Sequence, residues 1–118
     1  MTRLAERDIC VSELPPPPVP TVIFIVTGNA PGGVDITYGN DSSNLQGNGL
    51  PFKAHLHYDA NASYYDVTAQ LQGSGEVHCE LIVSDGTATY TKRGIASGGY
   101  NICSAQLNNE DSLGSGWQ

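Results

Sequence analysis

Positive charge is scarce in this chain. Five lysines and arginines, Arg3, Arg7, Lys53, Lys92 and Arg93, stand against twelve acidic residues, giving a formal net charge of −7. So few cations leave little with which to neutralise a phosphate backbone or a layer of anionic headgroups, so neither nucleic acid nor a membrane surface is an expected partner. Long apolar runs are missing too. The longest, Val22 to Val26, has five residues, against about 20 for a helix that crosses a bilayer. The segment Met1 to Ser12 carries charges without the apolar stretch of a signal peptide, and the chain is not expected to be marked for export. Sustained helical periodicity is absent from every segment. With 118 residues, 14 glycines, 7 prolines and 14% charged residues, the balance favours a single all-β domain with a modest core.

What the chain does contain is organised around Gly75 to Gly86. Val77, Cys79, Leu81 and Val83 occupy alternate positions, which places all four on one face of a β-strand, and Asp85-Gly86 supplies the turn that ends it. Cys103 lies in another β-like run after Gly98-Gly99, so the two sulfurs are candidates for a cross-strand pair. Cys10, the third cysteine, sits in a polar amino-terminal segment and reads as a bystander.

Taken in order, residues 1–20 form a charged and proline-rich arm. Leu14-Pro15-Pro16-Pro17-Pro18-Val19-Pro20 fixes its own φ angles and lacks amide donors, which predicts an extended polyproline II spacer. The domain itself is expected over residues 21–107. Val22 to Val26 is β-branched and aromatic on both faces. Val34, Ile36 and Tyr38 alternate with Asp35 and Thr37, Gly39 to Ser43 reads as a polar turn, and Asn44 to Gly49 as a loop. Phe52, Ala54, Leu56 and Tyr58 then share one face, with Lys53, His55 and His57 on the solvent face. Tyr65, Val67, Ala69 and Leu71 form a further inward row, Gln72 to Gly75 a turn, Thr87 to Arg93 an outer strand, and Tyr100 to Leu107 the last strand. About seven short strands with glycine-rich turns predict an immunoglobulin-like antiparallel β-sandwich. Residues 108–118 read as a polar tail whose large apolar groups are Leu113 and Trp117.

The residue types that carry chemistry do not assemble into a catalytic constellation, and no enzyme activity is expected. His55, His57 and His78 all fall on outward faces, the ordinary place for solvated histidines, so no metal site is assigned to them. Cys79 falls on a core face, where a thiol is neither acidic nor accessible. The aspartates stand at strand ends and turns without calcium-loop spacing. No glycine cluster leads into a helix as a phosphate loop does. No cofactor is implied.

Val26-Thr27-Gly28, Val34-Asp35-Ile36-Thr37-Tyr38, Leu50-Pro51-Phe52, the run Cys79 to Gly86 and the late Cys103 together resemble, in order and spacing, the soluble domain of the MmpS family of actinobacteria over roughly residues 21–105. The resemblance implies a cystine between the two late strands, Cys79 to Cys103. It also implies a non-enzymatic role, since in that family the domain is an accessory to lipid-exporting transporters. Where the family carries an amino-terminal membrane helix, this chain has the charged segment and the proline arm, and Phe52 stands where the family usually has tryptophan. Two functional expectations follow. One is a virion component, a decoration or minor tail protein of an actinobacterial bacteriophage that contacts capsid or tail subunits. The other is a cell-envelope accessory of the MmpS kind. In both, the ends are expected to carry partner binding through Leu14, Pro15, Pro16, Pro17, Pro18, Val19, Leu113 and Trp117, because these groups have no core of their own while the sandwich offers no evident apolar patch.

Overall fold

The computed structural model describes residues 20–109 and 116–118. The expectations placed on Cys10, on Leu14 to Val19 and on Leu113 lie outside the described residues. Within them the chain is all β: β1 Thr21–Asn29, β2 Val34–Asn40, β3 Asn44–Gly47, β4 Phe52–His57, β5 Tyr64–Leu71, β6 Gly73–Ser84, β7 Thr89–Gly99 and β8 Ile102–Asn108. They form two four-stranded antiparallel sheets, β4-β1-β6-β7 and β3-β2-β5-β8, packed face to face as a sandwich. The arrangement is compatible with an immunoglobulin-like topology.

Alternation decides which side chains meet between the sheets. Val22, Phe24 and Val26 of β1 face inward beside Val83, Leu81 and Cys79 of β6, and all six are buried. The second sheet answers with Ile36 of β2, Tyr65, Val67, Ala69 and Leu71 of β5, and Cys103, Ala105 and Leu107 of β8. The Cys79–Cys103 disulfide joins β6 to β8, hence one sheet to the other, with Cα atoms 6.0 Å apart. Gly94 is paired with Cys79, and a Cβ at Gly94 would run into the backbone carbonyl of Ser104. Glycine is therefore needed where β7 lies against β8 beside the disulfide.

Rings run in sequence through the core. Phe52, Tyr38, Phe24 and Tyr65 stack successively at centroid distances of 5.3, 5.0 and 6.4 Å, spacings at which tilted aromatic pairs attract. Trp117 continues the series, 5.5 Å from Tyr65 and 5.8 Å from Tyr58. The hydroxyl of Tyr65 accepts from the Asp59 amide at 2.8 Å and donates to the His57 carbonyl at 3.3 Å, which ties the β4–β5 crossover to the start of β5.

Four sequence expectations are corrected. β3 forms where a loop was expected; Asn44–Gly47 has no β-branched residue, but β2 supplies a template, pairing Tyr38 with Leu45 and Ile36 with Gly47. β6 begins at Gly73, because a bulge between Gly73 and Glu76 absorbs the expected turn. β7 runs on to Gly99, held by its pairing with β6 beyond Arg93. The largest correction concerns Trp117, which is 2% exposed and belongs to the domain's own core. Its indole Nε1 donates to the Tyr58 hydroxyl at 3.1 Å. The segment returns antiparallel beside the end of β8, with backbone hydrogen bonds from Asn108 N to Gln118 O at 2.6 Å and from Gln118 N to Asn108 O at 2.9 Å.

Emptying the Trp117 site removes a large buried side chain that the surrounding rings cannot replace. Trp117→Ala is expected to lower the unfolding free energy by about 3–5 kcal/mol in urea titration; unchanged stability would place the indole outside the core. The disulfide closes a segment of sequence separation 24. The double variant Cys79→Ala/Cys103→Ala is expected to lose about 3 kcal/mol by the loop-entropy estimate, read in the same titration, and equal stability of the two proteins would contradict it.

Candidate functional site

The three histidines are exposed, as alternation predicts, and they are not brought together. β1 lies between β4 and β6, so His55 is opposite Ile23 and His78 opposite Thr27. His78 Nε2 stands 3.2 Å from Glu76 Oε2 on its own strand. Among the described residues no group of three His, Cys, Asp or Glu side chains is placed to hold a metal ion, and no helix is long and apolar enough to cross a membrane. The cystine fills the place where a cysteine nucleophile would stand. Among the residues assigned to partner contact, Trp117 is taken up by the core, whereas Leu14, Pro15, Pro16, Pro17, Pro18, Val19 and Leu113 lie outside the described residues.

Individual apolar side chains of the sandwich are exposed. Tyr100, in the turn that carries the chain from β7 in the first sheet to β8 in the second, and Ile102 just after it are 65% and 56% exposed, whereas Ile95 of β7, 59% exposed, faces out from the first sheet on the opposite side. The turn is held by hydrogen bonds. The Asn101 amide donates to Gly98 O at 3.3 Å, Asn101 Nδ2 to Ser97 O at 2.6 Å, and Gln70 Nε2 of β5 to Tyr100 O at 3.1 Å. Gly98 and Gly99 have φ of 75° and 56°, left-handed values that glycine adopts without strain. Alternation contained part of this signal: with Cys103 inward, Ile102 must point outward. The pairing of β7 with β6 was needed to place Ile95.

Charge is divided between the sheets. Lys53 of β4 and Lys92 and Arg93 of β7 all belong to the first sheet, where Arg93 Nε and a terminal guanidinium nitrogen lie 3.1 and 3.0 Å from Glu80 Oε2. The strands of the second sheet carry Asp35 and Asp66 and no lysine, arginine or histidine. Partial burial raises the pKa of Asp66 above the usual carboxylate value. Asp85, in the turn after β6, is shifted the other way, because its carboxylate accepts from the Ala88 and Thr87 amides, both at 2.8 Å.

Comparison of the chain with protein-family models, with curated proteins and with solved structures finds no match.

The two aspartates should leave opposite signatures in stability against pH. A raised folded-state pKa favours the fold below the unfolded value and loses that contribution as pH rises through the folded one, so Asp66→Asn is expected to be more stable than the natural protein near neutrality. A depressed pKa contributes above the unfolded value and is lost as pH falls through the folded one, so Asp85→Ala is expected to be less stable near neutrality. The Asp66 difference should fade as pH falls through the raised folded-state pKa to the unfolded value, and the Asp85 difference only at lower pH, as pH falls from the unfolded value of about 4 through the depressed folded one. Thermal unfolding between about pH 7 and pH 3 measures this, and differences independent of pH would contradict the assigned causes.

Proposed function

We propose that the protein is a non-enzymatic interaction module, a structural component of a bacteriophage particle of the decoration or minor tail type, which docks onto capsid or tail subunits. The observation that carries this reading is the exposure of Tyr100 and Ile102 at one hydrogen-bonded turn between the two sheets. Apolar and aromatic side chains at a fixed turn lose little conformational entropy on docking, and an aromatic anchor of this kind commonly dominates a protein interface. In this reading the proline arm, with Leu14 and Val19, extends the contact, because a polyproline segment is already stretched before it binds.

A second reading rests on the MmpS-like order of motifs, and the disulfide is compatible with it. A cystine persists outside the reducing cytosol, in an envelope compartment as readily as on a released particle. The MmpS-like order of motifs would then mark an accessory of a lipid-exporting transporter.

The double variant Tyr100→Ser/Ile102→Ser separates docking from folding, because each of these side chains is more exposed than buried. Its incorporation into purified particles, quantified by mass spectrometry, is expected to fall at least about 30-fold, the equivalent of about 2 kcal/mol at one anchor, with an unchanged unfolding midpoint. Undiminished incorporation of a folded variant would reject the turn as the docking element. Absence of the natural protein from particles, with co-purification of a membrane transporter, would replace the first reading by the second.

A further inference from the structure

The outer face of the second sheet is polar apart from Tyr64 and the exposed Ile102, and its cross-strand rows are set by register. Gln46, Thr37, Thr68 and Ser104 form one row; Asn44, Gly39, Asp66 and Gln106 form the next. Gly39 is buried, with the Ser43 carbonyl occupying the place of a side chain there, which brings the turn of residues 40–43 close over β2. Against this turn is a cavity of about 410 Å³, lined by Thr37, Asn44, Tyr64, Asp66 and the turn of residues 40–43. That volume lies in the lower part of the range of small-molecule sites, about 300–1,000 Å³.

The wall formed by the turn is fixed. Asn40 Oδ1 accepts from the amides of Ser42 and Ser43, both at 2.8 Å, and the Asn40 amide donates to Ser43 O at 2.9 Å. The side chains facing the cavity are uncommitted by contrast. Among the described residues, those of Thr37, Asn44, Tyr64 and Asp66 make no hydrogen bond with another protein group. Tyr64 is on the outward face by alternation with the fully buried Tyr65, and it lines the cavity.

We propose that this cavity is a binding site for a neutral sugar residue of a glycan. The complement of groups fits that chemistry. The Asp66 carboxylate accepts from adjacent hydroxyls, the Asn44 amide both donates and accepts, and the Thr37 hydroxyl adds a partner of either sense. The Tyr64 ring offers an apolar face with a polar tip, against which the C–H face of a pyranose lies. Charge sets the selectivity: with Asp35, Asp41 and Asp66 on this sheet and its β2–β3 turn, and no cation in its strands, uronic and sialic acids are repelled. The partly desolvated carboxylate accepts hydrogen bonds from sugar hydroxyls more strongly than one in bulk water. The site is on the second sheet's face and does not depend on the docking through the β7–β8 turn proposed above.

The test is titration of the full chain with neutral hexasaccharides of glucose, mannose, galactose and xylose, and with hexagalacturonate as the anionic control, followed by amide chemical shifts and calorimetry. At least one neutral oligosaccharide is expected to shift the amides of Thr37, Asn44, Tyr64 and Asp66, with hexagalacturonate inert. Tyr64→Ala and Asp66→Asn should each weaken binding by about tenfold, whereas His55→Ala on the opposite sheet leaves it unchanged. Asp66→Asn keeps the side-chain shape, so it tests the charge even if Tyr64→Ala unfolds the protein. Failure of every neutral oligosaccharide to bind at millimolar concentration, equal binding of hexagalacturonate, or full affinity of a folded Asp66→Asn protein would each overturn the assignment.

Discussion

The contact between the two sheets near Cys79 and Cys103 governs more of this molecule than any other. The bond fixes the separation of β6 and β8 at the centre of the core. Beside it, the missing side chain of Gly94 lets β7 settle against the Ser104 backbone. β7 and β8 are therefore not two independent edges but the two sides of one corner, and the turn between them stands at a defined angle to both sheets. The direction in which Tyr100 and Ile102 point thus depends on a sulfur–sulfur bond and a glycine that touch neither of them. Exposed apolar side chains on a mobile loop would be an aggregation hazard, but on a fixed corner they become a surface of constant shape.

The aromatic series completes the same logic along the other axis. Each ring touches the next across or within the sheets, from Phe52 to Trp117, and the hydroxyls of Tyr65 and Tyr58 supply the hydrogen bonds needed at the far end. Polar tips of large buried side chains are costly unless matched. Here one is matched by crossover backbone and the other by the indole, so the end of the sandwich closes without an unpaired donor at those positions.

How much of this was legible in the sequence depended on whether a residue belonged to a periodic run. The inward rows of β5 and β6 follow strict alternation, so Tyr65 to Leu71 and Val77 to Val83 were readable as core, while Cys79 and Cys103 were readable as candidates for a pair and the cystine as what the family resemblance implied. β3 was not readable, since Asn-Leu-Gln-Gly has no strand preference and is recruited by its neighbour β2. Trp117 was misread for a related reason. A single aromatic after a glycine- and serine-rich stretch has no period to place it, and its partners, Tyr58 and Tyr65, are more than fifty residues earlier in the chain. The cavity on the second sheet was equally invisible, because Thr37, Asn44, Tyr64 and Asp66 come from three strands and acquire a common address only through register.

The position of Trp117 also bears on when the domain becomes a folded object during synthesis. β1 pairs with β4 and β6, so the first strand made must wait for residues 52–57 and 76–84 before it has neighbours on both sides. The last large core side chain then arrives at residue 117. A nascent chain stalled, cleaved or terminated anywhere short of that residue presents the face of Tyr58 and Tyr65 uncovered. Copies that end before residue 117 are thereby less stable than those that reach it, and cellular proteases that sample opened states would remove them selectively.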